Sequence, residues 1–200
     1  MLPEDAKPAE SHSGMSMSMR RRLWARIGGG DDREAATGVY RGVVAEARRR
    51  DLYADFGVPD NLDGRFEMLA LHLFLVLHRL RAEADGRCNR IAQLLVDLFI
   101  DDLDTNLREM GAGDLGVGRR VKRMAAGFHG RVAAYDAGIN GDGVSLEAAI
   151  RRNVYGTVTP LPAQVAAMAA HMRELAGRLA RLPVASVLGN GAVLGASGDR

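Results

Sequence analysis

The sequence predicts an all-α, single-domain bundle of about six to seven helices, flanked by a disordered N-terminal arm and a flexible C-terminal tail. Three observations lead there. Apolar residues make up 47% of the chain with only five Phe, four Tyr and one Trp, so Leu, Ala, Val and Met must fill the core. That diet suits helices better than strands. Apolar positions recur at spacings of three and four, the helical period, and no internal repeat or β-hairpin signal interrupts them. The breaks between periodic stretches are rich in Gly, Pro and Asp. A chain of 200 residues fits one domain, since domains usually run to roughly 100–200 residues.

Residues 1–31 are rich in Ser, Met, Pro and Gly and read as a mobile arm. It carries a short basic patch, Arg20, Arg21, Arg22, Trp24 and Arg26, that suits an anionic membrane surface or RNA. The domain proper spans residues 32–182. A first helix is expected from about Asp32 to Arg50, with Ala36, Val39, Tyr40, Val43, Val44 and Ala47 on one stripe and Asp31 or Asp32 as cap. A connector over 51–64 holds a short helical turn and ends at Gly57-Val58-Pro59-Asp60, where Pro59 disfavours helix at Val58.

The next helix, Gly64 to about Asp85 with Asp63 as its cap, has two apolar faces. Phe66, Leu69, Ala70, Leu73, Leu77 and Leu80 form one; Met68, Leu71 and Leu75 form the other. A helix apolar on both sides is usually central to a bundle. The alternative is that Met68, Leu71 and Leu75 line a partner-binding groove, with Met suited to irregular surfaces.

A fourth helix, Arg87 to Met110, carries Ile91, Leu94, Leu95 and Leu98 on one stripe and Ala92, Val96, Phe99, Leu103, Leu107 and Met110 on another. A fifth runs from Gly118 to Asp136 with Arg119, Arg120, Lys122, Arg123 and Arg131 on its polar side. A short helix over 145–155 and a last one from Pro162 to Leu182 follow, Pro162 sitting well in a first turn. Residues 183–200, rich in Gly and Ala, are expected to fray.

Chemistry is hard to find. The net charge of +2 beside 26% charged residues sets up no global field. Cys88 is alone, so no internal disulfide or cysteine-based metal cluster can form. The longest apolar run, Leu69 to Leu77, is interrupted by His72 and falls far short of the roughly 20 residues that span a bilayer. Gly111-Ala112-Gly113-Asp114-Leu115-Gly116 matches G-x-G-x-x-G, but a long helix precedes it where the dinucleotide fingerprint needs a strand. Asp136 to Glu147 imitates a calcium loop, yet Gly138 offers no ligand at its third position.

Asp97, Asp101 and Asp104 read as a solvated, salt-bridged face. Asp102 falls on the apolar stripe with Asn106 one turn later, a pair suited to fixing a helix contact. His72 and His78 lie six apart on different faces, and no local Ser–His–Asp or Cys–His constellation emerges. No catalytic residue, metal, cofactor or small-molecule substrate is expected.

Two stretches carry a family resemblance. Leu52-Tyr53-Ala54-Asp55-Phe56-Gly57-Val58-Pro59-Asp60-Asn61-Leu62-Asp63-Gly64-Arg65-Phe66-Glu67 is one; Asp104-Thr105-Asn106-Leu107-Arg108-Glu109-Met110-Gly111-Ala112-Gly113-Asp114-Leu115-Gly116-Val117, followed by Arg120-Val121-Lys122-Arg123-Met124, is the other. With Asn153-Val154-Tyr155 they resemble the ubiquinol–cytochrome c chaperone family, in its bacterial branch. The resemblance covers roughly residues 35–180. It implies a non-enzymatic assembly factor for ubiquinol–cytochrome c reductase, respiratory complex III, whose client is apocytochrome b. It also implies a cytoplasmic protein peripheral to the inner membrane, with a possible ribosome contact.

The expected partner-binding surface comprises Gly57, Pro59, Asp60, Arg65, Glu67, Met68, Leu71, Leu75, Asn106, Arg108 and Glu109. Arg65, a cation near a helix N-terminus, needs an offsetting carboxylate: Glu67, Asp102 or a group on the client. The alternative function is an RNA- or ribosome-binding protein using Arg20–Arg26 and Arg119–Arg123, and a third is a helical enzyme using the acids of 97–104.

Overall fold

The structure is a computed structural model that describes residues 29–109, 114–141 and 146–189, with the backbone alone over 114–120. These residues form eight helices: α1 Gly30–Ala47, α2 Arg50–Ala54, α3 Leu62–Arg81, α4 Gly86–Glu109, α5 Asp114–Asn140, α6 Leu146–Asn153, α7 Pro162–Arg181 and α8 Val184–Gly189. No strand occurs among the described residues. The all-α bundle that the periodicity predicts is the fold found.

Helix α3 is the axis of the bundle, packed against α1, α4, α5 and α7. Eleven of its twelve residues from 66 to 77 are buried, nine of them apolar and the other two Glu67 and His72; Leu69 alone in that stretch is half-buried. Its sequence has no polar face to offer water, so neighbours must cover every side. Met68, Leu71 and Leu75 are at most 1% exposed. The reading of these three as an open groove is therefore corrected: their partners are other helices of the same chain.

The helices around α3 bury single seams. In α1 the seam is Ala36, Val39, Tyr40, Val43 and Ala47, as the spacing predicts. In α7 it is Val165, Met168, Ala169, Met172, Leu175 and Leu179, behind a first-turn Pro162. In α4 the two expected stripes resolve into one winding seam, Cys88, Ile91, Leu95, Phe99, Leu103 and Leu107. Steps of four residues drift around the helix by about 40° each, which lets α4 face α1, α3 and α5 in turn.

Several local expectations are corrected. Asp32 does not cap α1; it is buried and accepts hydrogen bonds from Arg87 Nε (2.9 Å) and Arg90 Nε (3.0 Å), tying α1 to α4. The guanidinium pair holds its carboxyl below the usual range. Asn61, not Asp63, caps α3 by accepting from the Gly64 amide at 2.9 Å. The first helix stops at Ala47, where Tyr53 donates to the Ala47 carbonyl at 2.7 Å and Arg49 bridges Glu46 and Asp51. Finally, the expected fraying from residue 183 does not hold at its start. Residues Val184–Gly189 form α8, with Val187 and Leu188 buried and the helix against α1. Six residues have little intrinsic helicity; burial against α1 supplies what propensity does not.

Leu71→Ala should lower unfolding free energy by about 2–5 kcal/mol, the usual cost of a cavity at a fully buried site. Urea denaturation checks this, and a variant as stable as the parent would mean that Leu71 is not core.

Candidate functional site

The two motif stretches of the sequence meet at one end of the bundle. Leu62, in the first turn of α3, packs against Leu107 of α4 and Val121 of α5, with Ile100 and Met124 closing a small apolar cluster. Ile100 and Met124 also pack against the main core, so the two motif stretches meet at its edge.

Above it the loop 55–61 is held in a fixed shape. Gly57 has φ 68°, a left-handed conformation that side chains rarely adopt. A Cβ there would lie 2.1 Å from Gln164 Nε2. Gln164 sits in the first turn of α7 and accepts from the Leu161 amide through Oε1 at 2.8 Å. The Tyr155 hydroxyl donates to the Phe56 carbonyl at 2.7 Å, fastening the loop from the other side. Gly64 packs on the loop from within α3: a Cβ would lie 1.9 Å from the Pro59 carbonyl oxygen. Gly57 and Pro59 thus act as architecture, and Tyr155 joins them.

The charged candidates divide by burial. Arg65 pairs with Asp60 at 2.7 Å, both side chains at least 60% exposed. Its offsetting carboxylate is therefore Asp60, which was not among the internal candidates. Arg108 pairs with Asp104 at 2.7 Å, and both Arg108 and Glu109 are exposed. Asn106 Nδ2 donates to the Asp102 carbonyl (2.7 Å) and Oδ1 (3.1 Å), while the Tyr40 hydroxyl donates to Asp102 Oδ2. That network fixes α1 on α4, as the apolar position of Asp102 suggests.

Glu67 is different again. It is buried, receives both a 2.7 Å bond from Arg131 Nε and a second one from Nη2, and ties α3 to α5. Burial pushes its carboxyl upward in pKa against the pull of the guanidinium. Arg131 also lies over the Phe66 ring, 5.0 Å from its centroid, a favourable cation–π position.

Next to the loop lie two residues that periodicity could not single out. Val158 and Leu161, in the α6–α7 connection, are 46% and 64% exposed. Leu161 is adjacent to Gly57 through Gln164. Their signal was faint: apolar residues in a Pro-rich turn with no helix face to claim them. Of the basic candidates on α5, Lys122 and Arg123 are exposed. The side chains of Arg119 and Arg120, and all of Arg20, Arg21, Arg22, Trp24 and Arg26, lie outside the described residues. So do residues 111–113 of the glycine motif and 142–145 of the calcium-like loop. Asp136, the first position of that loop, is inside α5 and pairs with His78 at 2.9 Å. No helix among the described residues is long and apolar enough to cross a membrane.

Known proteins resemble this chain along most of its length. Residues 54–194 match the family model described as ubiquinol-cytochrome C chaperone. Ubiquinol-cytochrome c reductase complex assembly factor 1 of Drosophila melanogaster is 26% identical over 151 residues, covering 72% of this chain and 58% of that protein. Its Mus musculus counterpart is 23% identical over 141 residues, covering 70% and 47%. The chain therefore spans about half the length of these curated relatives. The crystal structure of the Cbp3 homolog from Brucella abortus superposes with a TM-score of 0.70 at 35% identity, covering 88% of this chain and 94% of that one.

The two glycine environments make opposite predictions. Gly64→Ala forces backbone against backbone and should destabilise by about 1–3 kcal/mol. Gly38→Ala, in mid-α1 with nothing within 4 Å of its Cβ, should stabilise by roughly 0.5–1 kcal/mol. Chemical denaturation of both variants checks the signs together.

Proposed function

The chain belongs to the ubiquinol–cytochrome c chaperone family, and from that premise we propose that it is a non-catalytic chaperone that holds newly made apocytochrome b. In this reading it works at the bacterial inner-membrane surface while ubiquinol–cytochrome c reductase is assembled. The family description and the names of the relatives, assembly factors of that complex, support the coarser role.

The observation that carries the finer reading is the convergence of both motif stretches on Leu62, Leu107 and Val121, with exposed charge around them. Buried motif residues have packing reasons to be what they are. The Asp60–Arg65 pair does not: an exposed ion pair adds little stability. We assign the client surface to Asp60, Arg65, Arg108 and Glu109, bordered on the α7 side by Leu161 and Val158. A membrane helix ends in polar and charged groups, and the charges of this surface are complementary to such ends.

Deleting the gene should lower cytochrome b haem absorbance and intact complex in membranes together. Normal amounts of complex with lost turnover would rule out an assembly role. Within the protein, Arg65→Ala with Arg108→Ala should leave the melting temperature nearly unchanged while reducing the cytochrome b that copurifies by at least about tenfold, the equivalent of roughly 1.4 kcal/mol. Undiminished copurification would place the client surface elsewhere.

A further inference from the structure

Three helices bring together a group of side chains that the chaperone reading does not use. His72 of α3 is fully buried, and its Nε2 lies 3.1 Å from His171 Nε2 of α7. Glu46, near the end of α1, is 1% exposed. One ligand atom from each of the three lies within 4.8 Å of the other two. We infer that Glu46, His72 and His171 form a binding site for a single divalent cation of the zinc class, clamped between α1, α3 and α7.

The donor chemistry fits. His72 Nδ1 lies 2.7 Å from the Met68 carbonyl oxygen. A carbonyl can only accept, so Nδ1 carries the proton and Nε2 presents a lone pair. A backbone carbonyl behind a ligating imidazole is the usual arrangement at metal sites. Burial lowers the pKa of both rings, that of His72 to about 3, which keeps them in the neutral form that ligates. In the metal-free chain His171 Nε2–H donates to His72; on loading, His171 moves its proton to Nδ1.

Two nitrogen ligands on a tetrahedral zinc stand roughly 3.3 Å apart, close to the separation found. The Glu46 oxygen lies within 4.8 Å of both rings, so the carboxylate need close by no more than about 1.5 Å, within the reach of its rotamers.

Glu46 supplies the independent observation. Its Oε1 accepts from Arg49 Nη1 at 2.6 Å, but its Oε2 is buried without a hydrogen-bond partner. An unpaired buried carboxylate oxygen is costly, and a cation between the imidazoles would satisfy it. Arg49 opposes the cation, yet its charge is shared with Asp51, which accepts from it at 3.1 Å and 2.5 Å. One carboxylate beyond charge balance therefore remains for the ion. Glu46, Asp51 and Arg49 sum to a single negative charge, and two neutral imidazoles complete the set. The half-exposed side of His171, against the edge of the Phe56 ring, leaves room for water as a further ligand.

The test uses the full chain, stripped with chelator and titrated separately with zinc chloride and cobalt(II) chloride. One equivalent should bind, with a rise in Tm and the intense visible absorption of tetrahedral cobalt(II). His171→Gln should weaken uptake at least about 100-fold, whereas His129→Gln, on the exposed surface of α5, should leave it unchanged. Should His171→Gln fail to fold, ring-nitrogen NMR on the unsubstituted chain decides: zinc must shift Nε2 of His72 and His171 and spare the His78 ring. Lack of one-equivalent uptake, uptake indifferent to His171→Gln, or unmoved Nε2 resonances overturns the site. The result is independent of cytochrome b binding, so either proposal can fail alone.

Discussion

Burial of α3 on every side is the constraint from which the rest of the bundle follows. A helix surrounded by four others cannot leave a polar group unsatisfied, because each would cost about 1–3 kcal/mol or more. The polar residues of α3 accordingly dictate which neighbour goes where. Glu67 takes Arg131 of α5, His72 takes His171 of α7, and His78 takes Asp136 at the far end of α5. Arg79 reaches the end of α7, donating to the Leu179 and Leu182 carbonyls at 2.9 Å and 3.1 Å. The Leu179 carbonyl also accepts at 3.3 Å from the amide of Leu182, the residue that caps the helix, and a cation suits the negative end of the helix dipole. Apolar packing gives the core its stability; these polar contacts fix the rotation and register of the helices in it.

The same logic separates motif residues that build from motif residues that face outward. Gly57, Gly64 and Tyr155 hold one loop against α3 and α7, and Asn106 orients Asp102 between α1 and α4. In this chain the shape itself accounts for them. Asp60, Arg65, Arg108 and Glu109 stand on the shaped surface and contribute little to it. A motif that mixes both kinds marks a surface whose geometry and charge are needed together, as a docking site for another polypeptide would be.

Much of this was legible in the sequence, and what was not has a common cause. The α7 seam and Pro162 were readable because one-sided amphipathicity leaves one arrangement of the helix. The centrality of α3 was readable for the opposite reason, having two apolar sides. That pattern does not distinguish a groove from a core, however, which is how Met68, Leu71 and Leu75 came to be read as surface. The Asp102–Asn106 pair is local, one turn apart, and was visible. Asp32 with Arg87 and Arg90, Gly57 with Gln164, and His72 with His171 are brought together by the fold across 55 to 107 residues. No spacing rule reaches that far. Helix α8 was missed because tertiary burial, not propensity, makes it.

The distribution of apolar surface bears on how such a protein can hold a membrane client. Among the described residues the large exposed hydrophobics are Val158 and Leu161, far too little to cover a transmembrane helix, which presents about 20 apolar residues. A rigid apolar trough is therefore not the mode of recognition this surface supports. Charged groups on a fixed platform select the polar ends and loops of a client rather than its hydrocarbon-facing sides. Such contacts give orientation and fast encounter more than tight grip. In the proposed role that combination suits a chaperone that must surrender its client: the membrane would cover the client's apolar sides, and the protein would hold its ends.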